Sequence, residues 1–274
     1  EMLKADLLGR TTFDFPKTKI YFEDEVGQHV FHMLVSSLRY QCIALKSGNG
    51  LRGIDEVTNS GKLQAELERL ERFSGILPDL QEIVMHLGCE TLLTMSVQDQ
   101  MYFQRVLFLL DGDARYKDPA QKPRIRDYLD EKYDSTGKND RNHPVNTCFL
   151  PEHFAPESYL YGIIYQLANH ENDHSVFWRT LDDSEETALY TATKIRNMFS
   201  GLPTEFDNDD LKTIFKPYQP DAENSEIWQF IDKSHMLDYY YSDYRNVGEL
   251  IKFFSEFEKS YGIAHAKTIA NRFG

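Results

Sequence analysis

Hydrophobic residues in the first part of the chain follow two rhythms. Short apolar runs read as strands: "KIYF" (Lys19 to Phe22), "EIVMHL" (Glu82 to Leu87), "VLFLL" (Val106 to Leu110) and "VNTCFL" (Val145 to Leu150). Between them the apolar spacing lengthens to that of a helix. In "VGQHVFHMLVSSLR", Val30, Phe31, Leu34 and Leu38 fall on one face, and "KLQAELERLERF" repeats leucine at Leu63, Leu67 and Leu70. Gly88 is expected to end the second strand, with "CETLLTMSV" helical after it. Pro151 ends the fourth strand, and Pro156 opens the helix "ESYLYGIIYQLA" from a position that needs no amide donor.

Strand and helix therefore alternate up to Ala168, which predicts an α/β fold with a parallel sheet flanked by helices. "VLFLL" has no polar alternation and is expected to be buried on both faces. From Asp182 onward the pattern is helical only, in "SEETALYTATKIRNMF", "NDDLKTIF", "SEIWQFIDKSHML" and "NVGELIKFFSEFEKSYG". Gly201-Leu202-Pro203 and Lys216-Pro217 punctuate these segments, giving an all-helical C-terminal extension. Lys46 to Lys62 is rich in Gly and Asn and reads as loop, as does the polar stretch Asp118 to Asn142.

Composition narrows the class. With 41% hydrophobic residues in 274, the chain can bury a real core, as one large domain or two smaller ones. No run approaches the roughly 18 apolar residues of a membrane span, and no secretory signal pattern opens the chain, so no membrane partner is expected. The opening "EMLKADLLGR" lacks a first Met and reads as a fragment or processed product with neighbouring domains beyond it. Cys42, Cys89 and Cys148 are far apart and form no CxxC or zinc spacing, which suits buried thiols in a reducing cytoplasm. A net charge of −14 and a pI near 5.1 count against a free-standing nucleic-acid binder, which carries a basic face. A carboxylate cluster that holds metal ions is itself acidic, however, and a basic partner domain can supply phosphate contacts.

The acids sit in a telling place. "KIYF" runs into Glu23-Asp24-Glu25, "VLFLL" into Asp111-Gly112-Asp113, and "VNTCFL" is followed by Glu152 and Glu157. Ligands of open parallel sheets bind outside the carboxyl ends of the strands. Carboxylates converging there cannot all stay ionised without a cation, and Mg²⁺ suits a few carboxylates plus water and phosphate oxygens. On an extended segment Asp111 and Asp113 would point the same way, with Gly112 leaving room for an ion. Alone, Asp-Gly-Asp also reads as a strand-ending turn.

These residues resemble a known family. "KTKIYFEDEVGQHVFHML" resembles the opening of a Toprim domain, in which a glutamate ends the first strand, and "VLFLLDGDAR" resembles its DxD strand. The order and separation of the two, with "HLGCETLLTMSV" between, are similar to the Toprim nuclease half of overcoming-lysogenization-defect (OLD) family ATP-dependent endonucleases. The resemblance spans residues 17 to 170. It implies residues 1–18 as a linker from an N-terminal ATPase domain. Residues 19–175 would be the Toprim catalytic domain, with a helical insertion at about 46–80, and residues 176–274 a helical C-terminal subdomain.

By position, Glu23 would be the Toprim glutamate, and Asp111 and Asp113 the metal-binding aspartates. Glu157 matches a further downstream acid, with Glu152 as the alternative. Two departures bear on the ligands of a second metal. Asp24 replaces the usual glycine, and Gly27 replaces the acid four after the glutamate, for which Glu25 would partly stand in. Lys233 and Lys252 are the candidates for a late phosphate-contacting lysine. The resemblance implies Mg²⁺- or Mn²⁺-dependent hydrolysis of nucleic acid, DNA first and RNA second, with two ions. It also implies an ATPase partner, a homo-oligomer in the full-length protein and a role in antiviral defence.

Other signals carry less. A non-catalytic Toprim scaffold is the rival reading, favoured by Gly27. Aspartyl-nucleophile phosphatases also use DxD, which would make Asp111 the nucleophile and Asp113 a general acid, but Ala114 and Arg115 then depart from their pattern. His29 and His32 read as helix-surface histidines, and His170 and His174 as part of a polar loop. "LDYYYSDYR" could stack bases or make a partner interface but reads first as packing between the last helices. GxxxxGK[ST] and GxSxG motifs are both absent.

Overall fold

The computed structural model describes residues 17–47, 51–53, 60–75, 77, 80–98, 105–115, 146–151, 155–169, 174–182 and 226–273. In chain order these form β1 (Thr18–Phe22), α1 (Glu25–Lys46), α2 (Ser60–Ser74), β2 (Leu80–Val84), α3 (Cys89–Gln98), β3 (Val106–Leu110), a single 3-10 turn (Gly112–Arg115) and β4 (Thr147–Phe149). After β4 come α4 (Pro156–Asn169), α5 (Ser175–Asp182), α6 (Glu226–Ser234), α7 (Met236–Tyr241) and α8 (Val247–Phe273). The four strands pair in parallel, in the order β2-β1-β3-β4. A parallel sheet with helices packed on it, followed by a helical C-terminal part, is the expected α/β arrangement.

Side chains of alternate residues divide the sheet into two faces. Ile20, Phe22, Leu107, Leu109, Cys148 and Leu150 join the large core with α1, α2, α4 and α8. Tyr21, Val106, Phe108, Leu110 and Phe149 join a smaller cluster with Cys89 and Leu92 of α3. All five residues of β3 are buried, as its unbroken apolar run requires of a central strand. The three cysteines are buried and outside any disulfide, and burial pushes the Cys42 thiol up to about 11.

Helix α8 is built onto the sheet rather than standing apart from it. Thr18 Oγ1 lies 2.9 Å from His265 Nδ1, Ser260 Oγ donates to Thr147 O at 3.3 Å, and Thr268 Oγ1 donates to Arg105 O at 3.3 Å. These contacts meet the amino ends of β1, β4 and β3, leaving the carboxyl ends to other elements. Phe257 reaches Phe31 of α1 and Phe73 of α2 with ring centroids 5.1 and 5.9 Å apart.

Several boundaries differ from the periodicity. β2 is Leu80–Val84 instead of 82–87, because β1 offers partners only from Thr18 to Phe22. Met85 N makes one further bond to Phe22 O at 3.0 Å, and His86 then leaves the sheet at φ 52. β4 is the three residues that face β3, and the proposed start at Val145 lies outside the described residues. "SEIWQFIDKSHML" is two helices, divided at His235 by a φ of 50. Helix α5 arises in "SVFWRTLD", where only Phe177, Trp178 and Leu181 carry the apolar stripe, too few residues to signal a helix by period. The proposed linker residues 1–16, the polar stretch 118–142, the segments 184–199 and 208–215, and His170 lie outside the described residues.

The tyrosine-rich stretch packs against the last helix and also against α4, α5 and Arg52. Tyr241 is buried, with its hydroxyl bonded to Tyr159 and donating to Glu249 Oε1 at 3.0 Å. The Arg52 guanidinium covers the Tyr239 ring at 3.8 Å, and Phe177 packs on the same ring. No described helix is long and apolar enough to cross a membrane.

Candidate functional site

β1 and β3 are neighbours although β2 lies between them in sequence, and the chain passes from β1 to β2 on one side and from β3 to β4 on the other. The carboxyl ends of such a pair form a crevice that neither crossover fills, the usual ligand position in an open parallel sheet. Glu23 leaves β1 and Asp111 leaves β3 at this point. Glu23 Oε1 accepts the backbone N–H of Asp111 at 3.1 Å. That bond pairs an amide which the ladder no longer serves, and it holds one carboxylate across the gap between two strands.

Helix α1 starts immediately beside them. Asp24 is its N-cap, with extended backbone and with Oδ1 accepting Gly27 N at 2.9 Å, the ordinary way to satisfy a first-turn amide. Gly27 is buried, and a Cβ built on it would stand 3.0 Å from Asp111 Oδ1, 3.7 Å from Asp24 Oδ1 and 3.8 Å from Leu150 Cδ1. The Asp111 carboxylate thus rests against bare helix backbone, beside an end whose partial positive charge favours anions. Glu157 lies in the first turn of α4, just beyond β4, and is only 8% exposed.

The other sequence candidates are placed differently. Asp113 sits in the 3-10 turn closed by Ala114 N to Asp111 O at 3.2 Å. The segment is not extended, so the argument from strand alternation that Asp111 and Asp113 share a direction does not hold. The side chain of Asp113 and all of Glu152 lie outside the described residues. Glu25 is exposed and turns toward the β2 side of the sheet, where its Oε1 is 3.2 Å from His86 Nε2. Lys233 closes α6 and Lys252 lies on α8, both exposed. Among the described residues, no group of three or more His, Cys, Asp and Glu side chains is arranged to hold a metal ion.

No family model, curated protein or solved structure matches the chain. A bare-backbone cradle under one carboxylate, with a second carboxylate fixed across the switch point, fits a hard divalent cation better than an apolar ligand.

Sequence reasoning missed the residues that aim α1 at this site. Glu82 of β2 accepts from Gln28 Nε2 at 2.6 Å and lies 2.8 Å from His32 Nε2, while His29 Nε2 is 2.8 Å from Asp232 Oδ1 of α6. The two helix histidines are thus hydrogen-bonded tethers to other elements. The available signal was an acid in the middle of a five-residue strand next to a helix face carrying Gln and His. The bond to Glu82 holds the His32 imidazole above its ordinary value of 6.5, against the opposing pull of partial burial. The same bond holds Glu82 below its ordinary 4.5, again against burial, with Gln28 helping.

Glu82 stabilises the fold above pH 4.5 and loses this as pH falls through its lowered value. His32 stabilises below 6.5 and loses this as pH rises through its raised value. The tether is complete between those limits. Urea unfolding should find Glu82→Gln less stable than the parent chain by about 0.5 kcal/mol in that window, a small figure because His32 is half-exposed. The difference should shrink at pH 8 and at pH 3.5, and a gap independent of pH would contradict the assignment.

Proposed function

We propose that this chain is a Toprim-type, divalent-metal-dependent nuclease that hydrolyses phosphodiester bonds, with DNA as the substrate. The observation that carries this reading is the 3.1 Å bond from the Asp111 amide to the Glu23 carboxylate at the β1/β3 switch point. It joins two acids at the strand ends where ligands of such sheets bind. Glu23, Asp111, Asp113 and the buried Glu157 are the residues that would hold Mg²⁺ or Mn²⁺. When bound, the ions supply a Lewis acid for phosphate oxygens and lower the pKa of a water.

The protein's own contribution is positional. Glu23 is held in one orientation by the Asp111 amide, and Asp24 is engaged as the cap of α1. The carboxyl ends of β1, β3 and β4 supply acids from three separate elements, so a phosphodiester would be met by ions held on a rigid sheet edge. An acidic chain is compatible with a nucleic-acid substrate because bound cations, not the side chains, would face the phosphates. The same reading makes the chain the nuclease half of an OLD-type ATPase–nuclease, a homo-oligomer with an anti-phage role.

Gly27 favours a second reading, a non-catalytic Toprim scaffold, since it brings no carboxylate to the first turn of α1. Supercoiled plasmid incubated with the chain separates the two. Nicked and linear products are expected with Mn²⁺ or Mg²⁺, and none with EDTA. An intact plasmid at millimolar Mn²⁺, together with no ion near Glu23 and Asp111 in metal-soaked crystals, would leave the scaffold standing.

A further inference from the structure

A buried glycine in the first turn of a long helix asks for an explanation. Inside a helix, glycine is less favourable than alanine by about 1 kcal/mol, and α1 is otherwise a well-formed helix of 22 residues with an Asp cap. Gly27 has no positive φ to justify it. Its backbone is ordinary, and alanine would suit the helix better. What sets the position apart is its surroundings: the missing Cβ would meet Asp111 Oδ1 at 3.0 Å, closer than real Cβ atoms ordinarily approach, with Asp24 Oδ1 and Leu150 Cδ1 just beyond.

We infer that Gly27 is a positioning residue for the Asp111 carboxylate. The inference rests on the metal reading of the same site. Of the three neighbours, only Asp111 is too close, and the close atom is the end of a side chain with two rotatable bonds. A methyl group at position 27 would therefore push the carboxylate aside and leave the backbone where it is. In this way the departure from an acid at position 27 is itself part of the site: the room a side chain would take is given to Asp111.

The consequence separates helix stability from ligand geometry, because the two respond in opposite directions. Gly27→Ala should leave the thermal midpoint of the metal-free chain unchanged or higher, since helix propensity improves. It should weaken Mn²⁺ binding, read by calorimetric titration of the metal-free chain, by about 10- to 100-fold, the range met when a group that orients a ligand is altered. Gly61→Ala on α2 is the control, because nothing lies within 4 Å of a Cβ there. That variant should gain helix stability with the Mn²⁺ affinity unchanged.

Equal affinities in the parent chain and Gly27→Ala would overturn the inference. So would a Gly27→Ala chain that fails to fold, because the methyl would then be colliding with the backbone and not with a movable carboxylate. A parent chain that takes up no Mn²⁺ at millimolar concentration would instead overturn the metal reading beneath it.

Discussion

Asp111→Ala is expected to abolish Mg²⁺- and Mn²⁺-dependent nicking of plasmid DNA while the chain stays folded. Asp111 follows the fully buried strand β3, and its carboxylate is the one that rests against Gly27 at the mouth of the switch point. The substitution removes the side chain and keeps the backbone amide, so the bond to Glu23 survives and the two strand ends stay together. What is lost is the proposed metal ligand. If that ligand accounts for roughly 4 kcal/mol of transition-state stabilisation, the rate falls about 1,000-fold, below the background of a nicking assay. Circular dichroism and a thermal melt of the same preparation establish that the fold persists. Full activity in a folded Asp111→Ala chain would sink the metal-site reading, whatever the parent chain does.

The second large effect concerns stability. Phe257→Ala is expected to cost about 3–5 kcal/mol, the usual range for deleting a fully buried phenylalanine ring. Phe257 is 0% exposed and sits among Phe31, Phe73, Phe253 and Phe254, with ring centroids between 5.1 and 6.3 Å away. Those neighbours belong to α1, α2 and α8, so one ring joins the last helix to the two that flank the sheet. Against a typical total of about 5–15 kcal/mol, the loss is a large fraction of stability. Urea unfolding followed by circular dichroism should show a single transition displaced to lower denaturant. A loss under about 1 kcal/mol, or a second transition in which the sheet unfolds separately, would mean that α8 is not part of the sheet's core. Other contacts point to one cooperative unit: Arg69 of α2 pairs with Glu258 and donates to Ser255 Oγ at 2.9 Å on α8.

The two effects probe opposite ends of the sheet. Helix α8 braces the amino ends of the strands through Thr18, Arg105 and Thr147, and the acids gather at the carboxyl ends. A variant of Phe257 should therefore lower activity only as far as it lowers the folded fraction, whereas a variant of Asp111 lowers activity in a folded chain.

Much of this architecture is legible in residue order because it depends on local pattern. "VLFLL" had to be a central strand, since a run without polar alternation cannot face water on either side. Leu67 and Leu70 had to be core, since they share one helical face, and both are fully buried. Pro156 opens α4 as its missing donor allows. Acids at three strand ends were visible as well, and with them the expectation of a cation.

Other features were set by partners distant in sequence. The register of β2 followed the length of β1, and the split at His235 followed the packing of Met236 and Leu237 into the core. The pairing of His29 and His32 with Asp232 and Glu82 joins residues whose spacing no periodicity reports. Above all, sequence periodicity says which segments are strands and not which strands touch. The order β2-β1-β3-β4 puts the end of β1 beside the end of β3, and that adjacency turns Glu23 and Asp111 from two scattered acids into neighbours. It also gives Gly27 its meaning, since a glycine in a helix is a weakness until the carboxylate that fills its missing side chain's place is known. By itself the sequence determined the elements, their buried faces and the acids at their ends, because each of these is fixed by local period and composition. Only the tertiary structure decided which acid meets which, because strand adjacency is chosen by burying faces from distant parts of the chain against one another.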